Sequence, residues 1–192
     1  MKIGILALQG DFLEHQKILN SLSVETSQVR LANHLEGLNG LIIPGGESTT
    51  IGKLAVDFEL MEPLRNYAAE HPVWGTCAGS ILLSKDARRT QPLMAVMDIK
   101  VARNAFGRQV DSFEMDLRFE ALSGLTDHNP PFHAIFIRAP LIEEVGPNVE
   151  ILGSLPGGKI VAARQNNLLA TSFHPELTTD NRFHRYFMEM IR

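Results

Sequence analysis

Cysteine occurs once in the 192 residues, at Cys77. An internal disulfide is therefore impossible, and so is a zinc site built on several thiolates. Long apolar runs are lacking too: nothing approaches the roughly 20 residues that a membrane-crossing helix needs. There is no block of like charge, and the net charge is −4, which argues against a basic nucleic-acid surface and a polybasic membrane anchor. The apolar opening, Met1 to Gly10, has one basic residue and runs straight into Asp11. It reads as a buried first strand rather than a signal peptide. With no targeting segment in view, the cytoplasm is the expected location. What is present is an ordinary globular composition, 44% apolar and 21% charged, in a chain long enough for a full core. No repeat, low-complexity tract or linker divides it, so residues 1–192 are expected to form a single domain. Nothing indicates a metal or a cofactor.

Along the first half, strand and helix patterns alternate. Lys2–Leu8, Val24–Leu31, Gly40–Ile43 and Val73–Gly75 read as strands. Phe12–Leu22, a segment running through Ile51 and Leu54 and capped by Ser48 or Thr49, Leu60–Ala69 and Ala78–Leu83 read as helices. That alternation predicts parallel pairing with right-handed crossovers. After Asp98 short β-rich runs follow, at Ile99–Ala102, Val110–Leu117, Ala134–Ile137, Val149–Leu152, Ile160–Arg164 and Leu168–Thr171, several of them expected as antiparallel additions. Asp180–Ile191 reads as a closing helix. The fold class is α/β, a three-layer sandwich around a mainly parallel sheet.

Cys77 stands where the strand Val73-Trp74-Gly75 meets the helix Ala78–Leu83, with Gly75 and Gly79 two residues to either side. This is the nucleophile-elbow pattern with Cys in place of Ser. It lifts the thiol from the carboxyl edge of the sheet, where open α/β sheets bind ligands. The helix that follows favours a thiolate through its free N–H groups and dipole, and the Ala78 N–H can face a developing oxyanion. A thiol nucleophile needs a base held by a third group. Of seven histidines, His15, His34, His71, His128 and His184 read as surface residues and His133 as semi-buried. His174 differs: it ends the apolar run Leu168–Phe173 and precedes Pro175-Glu176. Pro175 stiffens that turn, and Glu176 is placed to hold the imidazole tautomer. Pro44-Gly45-Gly46-Glu47-Ser48 puts glycines past another strand, so the Gly46 N–H is a second oxyanion candidate.

Gly75-Thr76-Cys77-Ala78-Gly79, Pro44-Gly45-Gly46-Glu47-Ser48 and Ser172-Phe173-His174-Pro175-Glu176 resemble the class I glutamine amidotransferases, which are flavodoxin-like in fold. Leu8-Gln9-Gly10-Asp11, the stretch Arg103–Glu114 and Phe136-Ile137-Arg138-Ala139-Pro140 resemble, within that group, the glutaminase subunits of pyridoxal 5′-phosphate synthase. The resemblance runs over essentially the whole chain. It implies hydrolysis of L-glutamine to L-glutamate and ammonia through a Cys77–His174–Glu176 triad and a glutamyl thioester. It implies glutamine binding by Gly46, Glu47, Ser48, Arg103, Ile137 and Arg138, with Gly46 and Ala78 as the oxyanion hole. Finally, it implies a synthase subunit as partner, in an assembly of twelve plus twelve chains that uses the ammonia for vitamin B6 biosynthesis. Ser80 departs from relatives, which more often carry an apolar residue there. Alternatives from the residues alone are an ammonia donor for another synthase, a cysteine hydrolase acting on other γ-glutamyl amides, and a scaffold with an idle pocket.

Overall fold

The apolar runs of the first half become strands buried on both faces. The computed structural model describes residues 1–103 and 112–191. In the first half, β1 (Lys2–Leu6), β2 (Glu25–Val29), β3 (Gly40–Ile43) and β4 (Val73–Thr76) alternate with α1 (Phe12–Ser21), α2 (Ser48–Asp57) and α3 (Met61–Glu70), and α4 (Ala78–Leu83) follows β4. β1 lies parallel to β2 and β3, and β3 parallel to β4, as helical crossovers require. The second half supplies β5 (Ser84–Asp86), β6 (Met97–Ala102), β7 (Ser112–Leu117), β8 (Phe132–Ile137), β9 (Leu141–Val145), β10 (Glu150–Ser154), β11 (Ile160–Gln165), β12 (Leu168–Thr171) and α5 (Arg182–Met190).

Among the described residues the central sheet runs β2-β1-β3-β4-β12-β11-β9-β6-β5, with β10 attached to β11. β12 returns from the far end of the sequence to lie parallel to β4, in the register Gly75 opposite Ala170 and Thr76 opposite Thr171. Side chains alternate across the sheet. Leu41, Ile43 and Val73 therefore face one core with Ile51, Leu64 and Ile81 of α2, α3 and α4. Ile42 and Trp74 face the other, with Leu19 of α1 and Phe183 and Phe187 of α5. The result is helix, sheet, helix: three layers, as the alternating pattern predicts.

Two features differ from the sequence reading. β6, β9, β10 and β11 carry the antiparallel pairings, but β7 and β8 pair only with each other, as a two-stranded sheet. β8 sends Phe132, Ala134 and Phe136 into the second core, so the hairpin is held by side-chain packing rather than by a ladder to the main sheet. Val110 and Asp111, expected to begin β7, lie outside the described residues. The cap of α2 is neither Ser48 nor Thr49 but Glu47, whose Oε2 accepts the Thr49 N–H at 3.0 Å. A carboxylate suits a helix start because it meets both a free N–H and the positive end of the dipole. No described helix is long and apolar enough to cross a membrane.

Candidate active site

Cys77 occupies a backbone conformation that side chains rarely adopt, with φ 47° and ψ −105°. Such strain persists only where neighbours over-determine it. The Cys77 N–H donates to the Thr171 carbonyl at 2.8 Å. Its own carbonyl accepts from the Ser80 hydroxyl at 2.7 Å and from the Ser80 N–H at 3.1 Å. The Ser80 side chain thus fastens the turn that carries the thiol. Close packing explains the flanking glycines. A methyl group on Gly79 would sit 2.0 Å from the Ile43 carbonyl oxygen, and one on Gly75 would sit 2.5 Å from the Gly79 carbonyl.

The base arrives on the neighbouring strand. Phe173 follows β12 and is clamped in an aromatic cluster, its ring centre 5.2 Å from Phe183 and 5.7 Å from Phe136. His174 comes next, and its backbone N–H donates to the Ile135 carbonyl of β8 at 2.8 Å. Imidazole Nδ1 lies 2.6 Å from Glu176 Oε1, with both side chains buried. Burial opposes a charged imidazole, but the contacts with Cys77 and Glu176 outweigh it and hold the His174 pKa above its ordinary value. Burial also raises the Glu176 carboxyl, against the pull of His174. Space for the ring comes from Gly45, where a methyl group would stand 2.5 Å from His174 Cε1. His174 therefore touches Cys77 on one side and Glu176 on the other, the order in which a nucleophile, a base and the base's anchor would stand.

A cavity of about 180 Å³ opens over Cys77, the scale of a small-molecule site. Its wall contains Gly46, Glu47, Ser48, Ala78, Arg103 and Arg138, to which Ile81 and Pro140 are added. Ile137 ends β8 beside Arg138, but its side chain is not part of this wall. Arg138 is exposed and takes a left-handed backbone, φ 44°, which turns the chain toward the cavity. Arg103 donates to Thr49 Oγ1 at 2.9 Å and forms an ion pair with Glu47. Slight burial works against ionisation of Glu47, yet Arg103 and the Thr49 and Thr50 N–H groups hold its carboxyl below the usual range. Residues 104–111, part of the stretch that resembled the synthase-linked group, lie outside the described residues.

The histidine reading needs correction at three positions. His15 and His184 are completely buried, not on the surface. They adjoin each other behind the triad, His15 Nδ1 to His184 Nε2 being 2.9 Å. His133 is not semi-buried: its side chain is 49% exposed and bridges Asp116 and Glu114 on β7, at 2.8 and 3.0 Å. A signal for His15 was available, since Phe12, His15 and Leu19 fall on one helical face. Asp11 was also missed as a neighbour of the base, its Oδ2 standing 3.6 Å from His174 Nδ1. The donor atoms of Asp11, His174 and Glu176 lie within 4.8 Å of one another, a spacing a cation accepts. His174 Nδ1 is already engaged by Glu176, which organises the group around a proton instead.

The family model described as the SNO glutamine amidotransferase family matches residues 5–192. The pyridoxal 5′-phosphate synthase subunit PdxT of Herpetosiphon aurantiacus is 57% identical over 98% of this chain and 99% of its own. The protein of the same name from Moorella thermoacetica is 56% identical, covering 100% of each chain. Among solved structures, a glutamine amidotransferase superposes with a TM-score of 0.91 at 49% identity, over 98% of both chains. PurLQS from Thermotoga maritima shares the fold alone, with a TM-score of 0.75 at 13% identity over 100% of this chain and 98% of that one. The chain belongs to the SNO glutamine amidotransferase family.

Proposed function

We propose that this chain is a glutaminase that hydrolyses L-glutamine to L-glutamate and ammonia, and that it supplies the ammonia to the synthase subunit of pyridoxal 5′-phosphate synthase. The observation that carries the reading is the strained Cys77 elbow, with the His174–Glu176 pair behind it and a small cavity walled in part by Glu47, Arg103 and Arg138 before it. His174 takes the thiol proton as sulfur attacks the side-chain amide carbon. The negative charge that develops on oxygen meets the N–H groups of Gly46 and Ala78. The carbon–nitrogen bond then breaks, His174 returns the proton to the leaving nitrogen, and ammonia departs from a glutamyl thioester. Water, deprotonated by His174, attacks the thioester, releasing glutamate and restoring the thiol. Glu176 keeps the imidazole oriented and its charge stabilised throughout.

Glutamine itself carries a carboxylate and an ammonium. Arg103 and Arg138 suit the first; Glu47 suits the second, with Gly46 and Ser48 completing the wall and Ile137 left to contribute through its backbone beside Arg138. The names of the relatives support the partner, and the family resemblance extends this to an assembly of twelve plus twelve chains in the cytoplasm, with residues 1–192 acting as one amidotransferase domain.

The test is glutamate release from L-glutamine by the purified chain, with and without the synthase subunit. Release that the synthase stimulates, and that Cys77→Ala abolishes in a folded protein still able to bind the synthase, is expected. No release from a formed complex with an intact thiol would reject the reading. Sedimentation of that complex reads its stoichiometry.

A further inference from the structure

The side of Glu176 turned away from His174 meets a row of polar groups that the proposed chemistry does not use. Glu176 Oε1 is engaged by His174 Nδ1, whereas Oε2 is buried and no described residue gives it a well-formed hydrogen bond. His15, on α1, faces that oxygen: its Nε2 lies 3.3 Å from Glu176 Oε2 and 3.2 Å from Thr76 Oγ1. Behind His15 stands His184 of α5, 2.9 Å from His15 Nδ1. The Trp74 ring packs edge-on against both imidazoles, with ring centres 5.7 and 5.0 Å apart.

These contacts select the tautomers. A bare His15 Nε2 could accept from the Thr76 hydroxyl but would turn its lone pair toward a carboxylate, which is repulsive; an Nε2–H is shared between Thr76 Oγ1, its hydrogen-bond partner, and Glu176 Oε2, which attracts it. His15 Nδ1 is then the acceptor, so His184 must donate through its own Nε2–H. That leaves His184 Nδ1 as a bare acceptor, and it is the atom with no partner. A buried acceptor without a partner is tolerated better than a buried N–H without one. Burial holds both imidazoles neutral, well below their ordinary pKa.

We propose that His15 is a positioning residue of the Cys77 site: its Nε2–H, set toward Glu176 by His184, restrains the second carboxylate oxygen of Glu176 so that the first stays on His174. The proposal rests on the triad reading above. It makes the anchor of the base a carboxylate held from both ends, by His174 on one side and α1 on the other. The titratable groups facing Glu176 are His174 from its own segment, His15 from α1 and Asp11 at the start of α1, with Cys77 beyond His174 and His184 beyond His15.

The test compares His15→Phe with His15→Gln, whose side-chain amide can place an N–H near the position of Nε2. Without the donor the Glu176 carboxylate is less stabilised, so it takes up a proton at higher pH and the imidazolium loses its support. The acidic limb of Cys77 alkylation by iodoacetamide should therefore move to higher pH in His15→Phe. Glutamine turnover with the synthase should fall roughly 10-fold, the effect expected when a buried carboxylate oxygen loses the one donor that faces it, with KM nearly unchanged. His15→Gln should restore both. An unmoved alkylation limb in folded His15→Phe, or a loss that His15→Gln does not repair, would overturn the proposal. If His15→Phe does not fold, His184→Phe keeps His15 and the triad but frees the His15 tautomer; it should move the limb the same way by less, and no movement refutes the idea. Alkylation needs no glutamine, so a wild-type chain that alkylates normally yet releases no glutamate removes the glutaminase reading while still judging His15.

Discussion

At Cys77 the chain accepts an unfavourable backbone conformation, and the residues around it supply the restraint: Thr171 and Ser80 bond the peptide groups, and two glycines let helix and strand close on it. The same economy of space governs His174. Gly45→Ala would drive a methyl group into Cε1 of the imidazole, 2.5 Å away, so the ring must swing off Glu176. Turnover should fall by about 10² or more, as misplacing a reacting group by about 1 Å does, while the melting temperature changes by only a few degrees. Glutaminase assay beside a thermal melt checks both. Glu176→Gln keeps the shape and removes the charge. Its expected signature is a Cys77 that alkylates but a kcat reduced by about 10²–10⁴, in line with losing the anchor of a catalytic base; turnover at the wild-type rate would remove Glu176 from the triad. Residue types and spacing singled out Cys77, His174 and Glu176, because an elbow and a His-Pro-Glu turn are local, and the structure brings the three side chains together. The burial of His184 was not legible, and that of His15 was signalled only by the helical face it shares with Phe12 and Leu19. Each sits on a helix of mixed polarity, and only the packing of α1 against α5 and Trp74 decides that both lie inside.

Among the elements, the parallel half of the sheet could be read from apolar runs and glycine stops. The β7–β8 hairpin could not be separated from the sheet, because alternation along Ser112–Leu117 states that one face is buried and not against what. Helix α2 is the element with most bearing on the site. Its cap, Glu47, holds the first turn through the Thr49 N–H and meets Arg103 on the cavity wall. Capping was expected from Ser48 or Thr49, the residue types that lead at this position, and the choice of Glu47 follows from that second contact. Glu47→Ala should cost about 1 kcal/mol from the lost cap and raise KM for glutamine more than it lowers kcat, since Arg103 loses its orientation. Urea unfolding and steady-state kinetics separate the two effects; an unchanged KM would place Arg103 outside substrate binding.

For the molecule as a whole, the buried imidazoles set how stability depends on pH. His184 has its pKa pushed down to about 3, from an ordinary 6.5. Below 6.5 the unfolded chain binds a proton there that the folded chain refuses, so stability falls as pH falls, and the loss continues toward pH 3. Each such group contributes about 1.4 kcal/mol per pH unit. His15 acts in the same sense. His174, raised instead, contributes stability that is complete below 6.5 and fades as pH rises above it, and Glu176, also raised, offsets part of the acid loss above 4.5. Comparing His184→Gln with wild type cancels the groups that His184 does not touch, and leaves its neighbour His15 as the one group that shifts with it. Between pH 6.5 and 5 the variant should lose about 2 kcal/mol less than wild type. Equal losses by urea unfolding at the two pH values would mean that His184 takes up its proton in the folded state.

The pairing of β4 with β12 has a consequence in time. Trp74 and Thr171, whose side chains bond across that seam at 3.1 Å, stand 97 positions apart in sequence. Made from its amino end, the chain produces Cys77 long before His174 exists. Only when the last strand has zipped into the sheet does an imidazole reach the sulfur, so assembly of the fold acts as the safety catch on the chemistry.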